Sequence, residues 1–181
     1  MRFLLRSVSF GALLALSLLP GSVAAGAEAS VTIDFSAHGH GPFDASFYKA
    51  DGVVFTEGTF VGYIQGDDAL VGPAAGSFNR PATSLSAWVA PSIQGTAEYT
   101  LTAYGASGGV VATRSVAVTQ DAGDPQTGPW GYVEIDLGAL PRGAKSFRLE
   151  NRFVRSSFSH VTSIPFGVKM IEYTRRVNDA Q

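Results

Sequence analysis

Apolar and polar residues alternate with a period of two along most of the chain, and helical spacing is almost absent. Val31, Ile33 and Phe35 alternate with Thr32, Asp34 and Ser36, as in a strand with one buried face. The same alternation sets Leu85, Ala87 and Val89 against Ser84, Ser86 and Trp88. It sets Tyr99, Leu101 and Ala103 against Glu98, Thr100, Thr102 and Tyr104, and Val133, Ile135 and Leu137 against Tyr132, Glu134 and Asp136. Phe147 and Leu149 share a face of a strand over 144–150, and a last strand spans Phe166–Thr174. Gly52–Thr56 and Phe60–Ile64 are short strands.

The connections carry turn chemistry. Ser107-Gly108-Gly109 joins the strand ending at Tyr104 to Val110–Thr119, a hairpin whose glycines supply positive φ. His38–Ala50 is a connection pinned to the core by Phe43, Phe47 and Tyr48. Gly66–Arg80 and Gln120–Gly131 are predicted loops, and Leu140–Gly143 a turn. The pattern predicts eight or nine strands. No helical crossover is available for parallel pairing, so they pair antiparallel. Two sheets packed face to face, an all-β jelly-roll-like sandwich, close such a set of strands.

One segment breaks the alternation. Arg2 and Arg6 precede an apolar run over Val8–Leu19, then Pro20-Gly21 and small residues through Ala27. This is the pattern of a signal peptide over 1–27, with cleavage after Ala25 or Ala27. The run falls short of the ~20 residues a spanning helix needs. The expectation is a single exported domain over 28–181, secreted or periplasmic, with no transmembrane anchor. The chain has no cysteine, so neither a cysteine-linked lipid nor a disulfide is available, and stability rests on the β core.

Charge changes the picture in one respect. The formal net charge is −2, which argues against nucleic acid as a partner. Residues 28–141 hold 3 basic and 12 acidic side chains, whereas 142–176 hold 8 basic and 2 acidic. That contrast is either the ordinary outward charge of alternating strands or a basic face suited to a polyanion.

Several segments carry a family likeness. Val31-Thr32-Ile33-Asp34-Phe35 is followed by an aromatic loop and by Tyr48-x-x-Asp51-Gly52-Val53-Val54-Phe55. Later come Tyr99-Thr100-Leu101-Thr102-Ala103-Tyr104, the Ser107-Gly108-Gly109 turn and Val110-Val111-Ala112-Thr113. Together they resemble bacterial secreted β-sandwich domains of the galactose-binding-like, jelly-roll type. The likeness spans most of 30–174 and implies a fold more than an activity. Where such domains often carry an acidic pair before the terminal Ile-x-Tyr, this chain has Val168-Lys169-Met170 before Ile171-Glu172-Tyr173. The C-terminal sorting segment of some such proteins has no counterpart here, which implies free secretion or periplasmic residence.

The candidate chemistry is sparse. Gly105-x-Ser107-x-Gly109 has the form of a nucleophile elbow, but a strand follows it where an elbow needs a helix. Glu98, Glu134 and Asp136 sit at outward strand positions, unlike the paired carboxyls of a glycosidase cleft. His38 and His40, two apart, could point the same way and share a metal with His160 or Asp44; the alternative is a solvated polar loop. Asp67-Asp68 and Asp121-x-x-Asp124 are candidates for a structural calcium, or simply turn formers.

The aromatics are more suggestive. Trp130 lies in a Gly-Pro-Trp-Gly loop, while Trp88 and Tyr104 fall on the polar phase of their strands. Exposed rings stack on sugars, with Asn79 and Arg80 as hydrogen-bonding neighbours. The expected function is a non-catalytic module that binds a carbohydrate or other cell-surface polymer. A protein-interaction role in the envelope, through a strand edge or the basic C-terminal third, is the alternative.

Overall fold

The computed structural model describes residues 27–64, 67–91, 95–120, 131–156 and 166–177. The segment expected as a signal peptide, apart from Ala27, lies outside the described residues. Ten strands are present among the described residues: β1 (Glu28–Asp34), β2 (Gly41–Pro42), β3 (Val53–Glu57), β4 (Phe60–Ile64) and β5 (Asp67–Val71), then β6 (Ala74–Pro91), β7 (Gly95–Tyr104), β8 (Val110–Gln120), β9 (Val133–Ser156) and β10 (Phe166–Arg176). Helix is confined, among the described residues, to two single 3-10 turns, Phe35–Ala37 and Phe47–Lys49. No helix of the described residues is long and apolar enough to cross a membrane.

All strand pairs are antiparallel. The hydrogen-bonded path runs β2-β4-β5-β10-β6-β9-β7-β8, with β1 on β10 and β3 on β6. Two long strands convert this path into two layers. Residues 82–89 of β6 pair with 133–144 of β9, beside β10. Residues 74–77 of β6 pair with 146–149 of β9, beside β3 and β7. The β6–β9 register shifts between the two blocks at Ser77/Ala82, and again inside the first at Ala82/Ser84 and Ser84/Ser86. Strands that cross from one sheet to the other through such irregularities form the corners of a sandwich.

The inward faces of both layers meet in one core. Tyr99 of β7 lies 5.1 Å from Phe166 of β10, edge to face, across the layers. A chain of rings fills one end: Phe35 on Tyr48 (5.4 Å) and on Phe55 (5.6 Å), then Phe55 on Phe147 (6.0 Å). Fully burying each such ring stabilises the fold by about 2–3 kcal/mol. Tyr173 anchors the loop before β3 by donating its hydroxyl hydrogen to the Asp51 carbonyl.

The alternation locates the buried faces. Ile33, Leu85, Ala87, Val89, Tyr99, Leu101, Ala103, Ile135, Phe147 and Leu149 are all buried. Gly105–Gly109 closes the β7–β8 hairpin with Gly105 N–H on the Gly109 carbonyl (2.8 Å) and Gly108 N–H on the Gly105 carbonyl (3.0 Å).

Three expectations are corrected. The strand count among the described residues is ten, because much of the predicted loop 66–80 is β5 and the start of β6. The predicted turn 140–143 is a bend inside the continuous strand β9. Phe43 and Tyr48 do pin the 38–50 connection, but Phe47 is 53% exposed.

Candidate functional site

The corner where β6 and β9 change layers also shapes the surface. Ala82 of β6 pairs with Ala144 of β9 on one side and with Arg175 of β10 on the other. Arg80 and Pro81 therefore pass between Arg142–Gly143 and the end of β10. Three arginines from three adjacent strands, Arg80, Arg142 and Arg176, line one recess of about 320 Å³.

Its walls are stiff. Pro81 and Pro141 contribute locked backbone, and Gly143 packs directly on Pro81. A Cβ at Gly143 would lie 2.8 Å from the Pro81 Cβ, and its φ of +66° suits glycine alone. Thr83 also lines the recess, its hydroxyl bonded to that of Thr174 (2.7 Å), which also bonds the Ser84 hydroxyl (2.8 Å). A second recess of about 200 Å³ adjoins the first. It shares Pro141 and Arg142 and is otherwise lined by Val110, Val111 and Leu140.

Three basic side chains away from this corner are matched by carboxylates. Arg148 pairs with Glu57 (3.0 Å) and Glu150 (3.1 Å), Arg152 with Glu98 (2.8 Å), and Lys169 with Asp34 (3.5 Å). Arg80, Arg142 and Arg176 are exposed and make no ion pair among the described residues. Glu28 stands opposite Arg176 in the β1–β10 register but forms no ion pair with it. Within the basic stretch 142–176, Arg148, Arg152 and Lys169 are thus matched by carboxylates, whereas Arg142 and Arg176 meet Arg80 at the corner.

The sequence-selected residues fall in separate places. Arg80 is in the recess. Tyr104 is half-buried at the end of β7, and its strand partner Val110 lines the apolar recess. Asn79 is exposed beside Arg80, with its N–H on the Gly52 carbonyl (2.9 Å). Trp88 is half-buried on β6 between Met170 and Glu134. It projects from the other layer: Trp88 pairs to Glu134 and Tyr104 to Ser146, twelve positions apart on β9, about 40 Å of extended strand. The two rings therefore do not share a platform. Trp130 lies outside the described residues.

The metal candidates separate as well. His38 bonds the Gly39 carbonyl through Nδ1 (2.8 Å) and packs on Phe47 (4.5 Å) and Phe43 (5.1 Å). His40 packs on Phe60 (5.6 Å), with Nδ1 3.9 Å from an Asp68 carboxylate oxygen. Asp44 is occupied by the Ser46 hydroxyl (2.6 Å) and amide (2.7 Å), which hold its carboxyl below the ordinary value. Asp67 and Asp68 open strand β5 instead of lying in a loop. No group of three His, Asp or Glu residues poised for a metal occurs among the described residues; Asp121, Asp124 and His160 lie outside them. Glu98 is paired to Arg152, and Asp136 accepts the Gly138 N–H (2.7 Å).

Arg142 and Arg176 were missed as site residues. Their one sequence signal was membership of the basic stretch 142–176, which does not reveal convergence with Arg80 across the corner.

No protein-family profile matches the chain, and no curated protein matches it. Among solved structures it is similar to a DUF4465 family protein from Bacteroides caccae, at 14% identity and a TM-score of 0.41, over 80% of this chain and 72% of that one. It is also similar to a chain of the T13 IBDV viral particle, at 16% identity and a TM-score of 0.38. The chain covers 91% of its own length there but only 36% of the viral chain.

Proposed function

We propose that the protein is a non-catalytic binding module for a carbohydrate or other cell-surface polymer, exported by the segment at its N-terminus. One observation carries the proposal: a two-part recess built on rigid strands, with guanidinium groups that no carboxylate of the described residues engages. Arginine offers a planar fork of donors suited to hydroxyl and oxyanion ligands. Prolines and paired strands fix the backbone from which the arginines project, which limits the ordering cost of binding to their side chains. The resemblance to galactose-binding-like sandwiches makes sugars the first ligands to try.

The test is retention of the purified chain on a panel of immobilised polysaccharides, neutral and acidic, beside Arg142→Ala. Retention that the substitution reduces supports the proposal. No retention on any polysaccharide, with capture of envelope proteins instead, overturns it in favour of a protein-interaction role.

A further inference from the structure

We infer that the corner recess takes the oxyanion of an acidic polysaccharide, a sugar carboxylate or sulfate, while the adjoining apolar recess takes the face of a neighbouring sugar ring. This rests on the binding-module proposal and narrows it to a ligand class.

The argument begins with charge. The chain has more acidic than basic residues, 15 against 13, and three of its basic side chains are matched elsewhere by carboxylates at 3.0 Å, 2.8 Å and 3.5 Å. At the corner, three guanidiniums share one recess without such a match. Like charges lining one recess repel, and an anion among them relieves the repulsion while accepting charge-assisted hydrogen bonds. The planar fork of arginine fits carboxylate and sulfate oxygens two at a time.

The second recess supplies the sugar. Val110, Val111, Leu140 and Pro141 present aliphatic surface, and Val110 is 60% exposed. The C–H face of a pyranose ring is apolar enough to cover such a surface and still keep its hydroxyls in water. Arg142 and Pro141 line both recesses, so one ligand straddles them with its anionic group on one side and its ring on the other. A nucleic acid fits less well. Its phosphates need a continuous basic track, whereas this corner is local and the chain as a whole is negative.

The experiment is solution binding of the full chain to polygalacturonate, its methyl ester, a sulfated glucan, neutral dextran and single-stranded DNA. The two acidic sugars are expected to bind, the ester and dextran to bind at least roughly tenfold more weakly, and added salt to reduce binding. Arg142→Ala should lose roughly tenfold or more on the acidic sugars, with Arg142→Lys intermediate because it keeps charge but not the fork. Val110→Glu should weaken both acidic polymers, since it places a carboxylate in the apolar recess. Arg152→Ala, whose partner is Glu98, should change nothing, and thermal unfolding of each variant confirms the fold. Equal binding of ester and acid, undisturbed by Arg142→Ala, overturns the anion assignment while the binding module stands. Failure of every polysaccharide overturns both. DNA binding as tight as the acidic sugars overturns the sugar assignment alone.

Discussion

The Tyr99 ring meets the edge of Phe166 at 5.1 Å across the middle of the sandwich, and both side chains are fully buried. The Tyr99 hydroxyl has no hydrogen-bond partner among the described residues, whereas that of Tyr173, equally buried, donates to the Asp51 carbonyl. The same substitution should therefore act with opposite sign at the two positions. Tyr99→Phe is expected to raise unfolding free energy by about 1 kcal/mol, and Tyr173→Phe to lower it by about 1 kcal/mol. Urea unfolding of the two variants measures both, and equal destabilisation would contradict the account of Tyr99.

Gly52 is enclosed by the same anchoring contact. Its φ is +99°, and a Cβ there would lie 2.6 Å from both the Arg175 Nη1 and the Tyr173 hydroxyl. Gly52→Ala thus combines backbone strain with a clash at the hydroxyl that holds Asp51. A loss of at least about 2 kcal/mol is expected. Denaturant unfolding reads it directly; an unchanged midpoint would mean the loop before β3 can move freely.

The sandwich was legible because period-two alternation needs only local sequence: Leu85, Ala87 and Val89 face inward whatever they pair with. Strand continuity was less legible. Pro141 and Gly143 have turn chemistry, yet β9 runs through them, because both layers use the bend as a corner. Asp67 and Asp68 read as turn formers but open β5, where pairing with β4 overrides a weak local preference. The site was hardest to see. Arg80 stands beside Asn79 in sequence, while Arg142 and Arg176 join it through pairing over long separations, which alternation cannot encode.

Alkaline pH should destabilise the protein through its buried tyrosines. Burial pushes the Tyr48 phenol up to about 12, helped by the carboxylates of Asp34 and Asp51. Burial also raises Tyr99, and raises Tyr173 against the opposing charge of Arg175. The folded state keeps these protons where the unfolded chain, near its ordinary value of 10.0, releases them. The contribution of these tyrosines is then constant below about pH 10 and is lost as pH rises through the folded values. Denaturant midpoints should fall across this range while tyrosinate absorbance rises. Tyr48→Phe should make the decline shallower, and an identical slope would remove Tyr48 from the cause.

Gly143 ties the fold to the recess. An alanine there must hold φ near +66° and place its Cβ 2.8 Å from the Pro81 Cβ, so either the backbone strains or Pro81 moves. Gly143→Ala should cost about 1–3 kcal/mol. Relief of that contact by moving Pro81 also shifts Arg80, its neighbour in the chain, relative to Arg142. Acidic-polymer binding should then weaken even at temperatures where the variant is fully folded. Arg148→Met, which removes a half-buried ion-pair network on the far part of β9, should lower stability by about 1–2 kcal/mol and leave binding intact. Measuring both variants by calorimetric unfolding and polymer binding separates the two effects. Loss of stability in Gly143→Ala without loss of binding would show that the wall of the recess can yield while its arginines keep their positions.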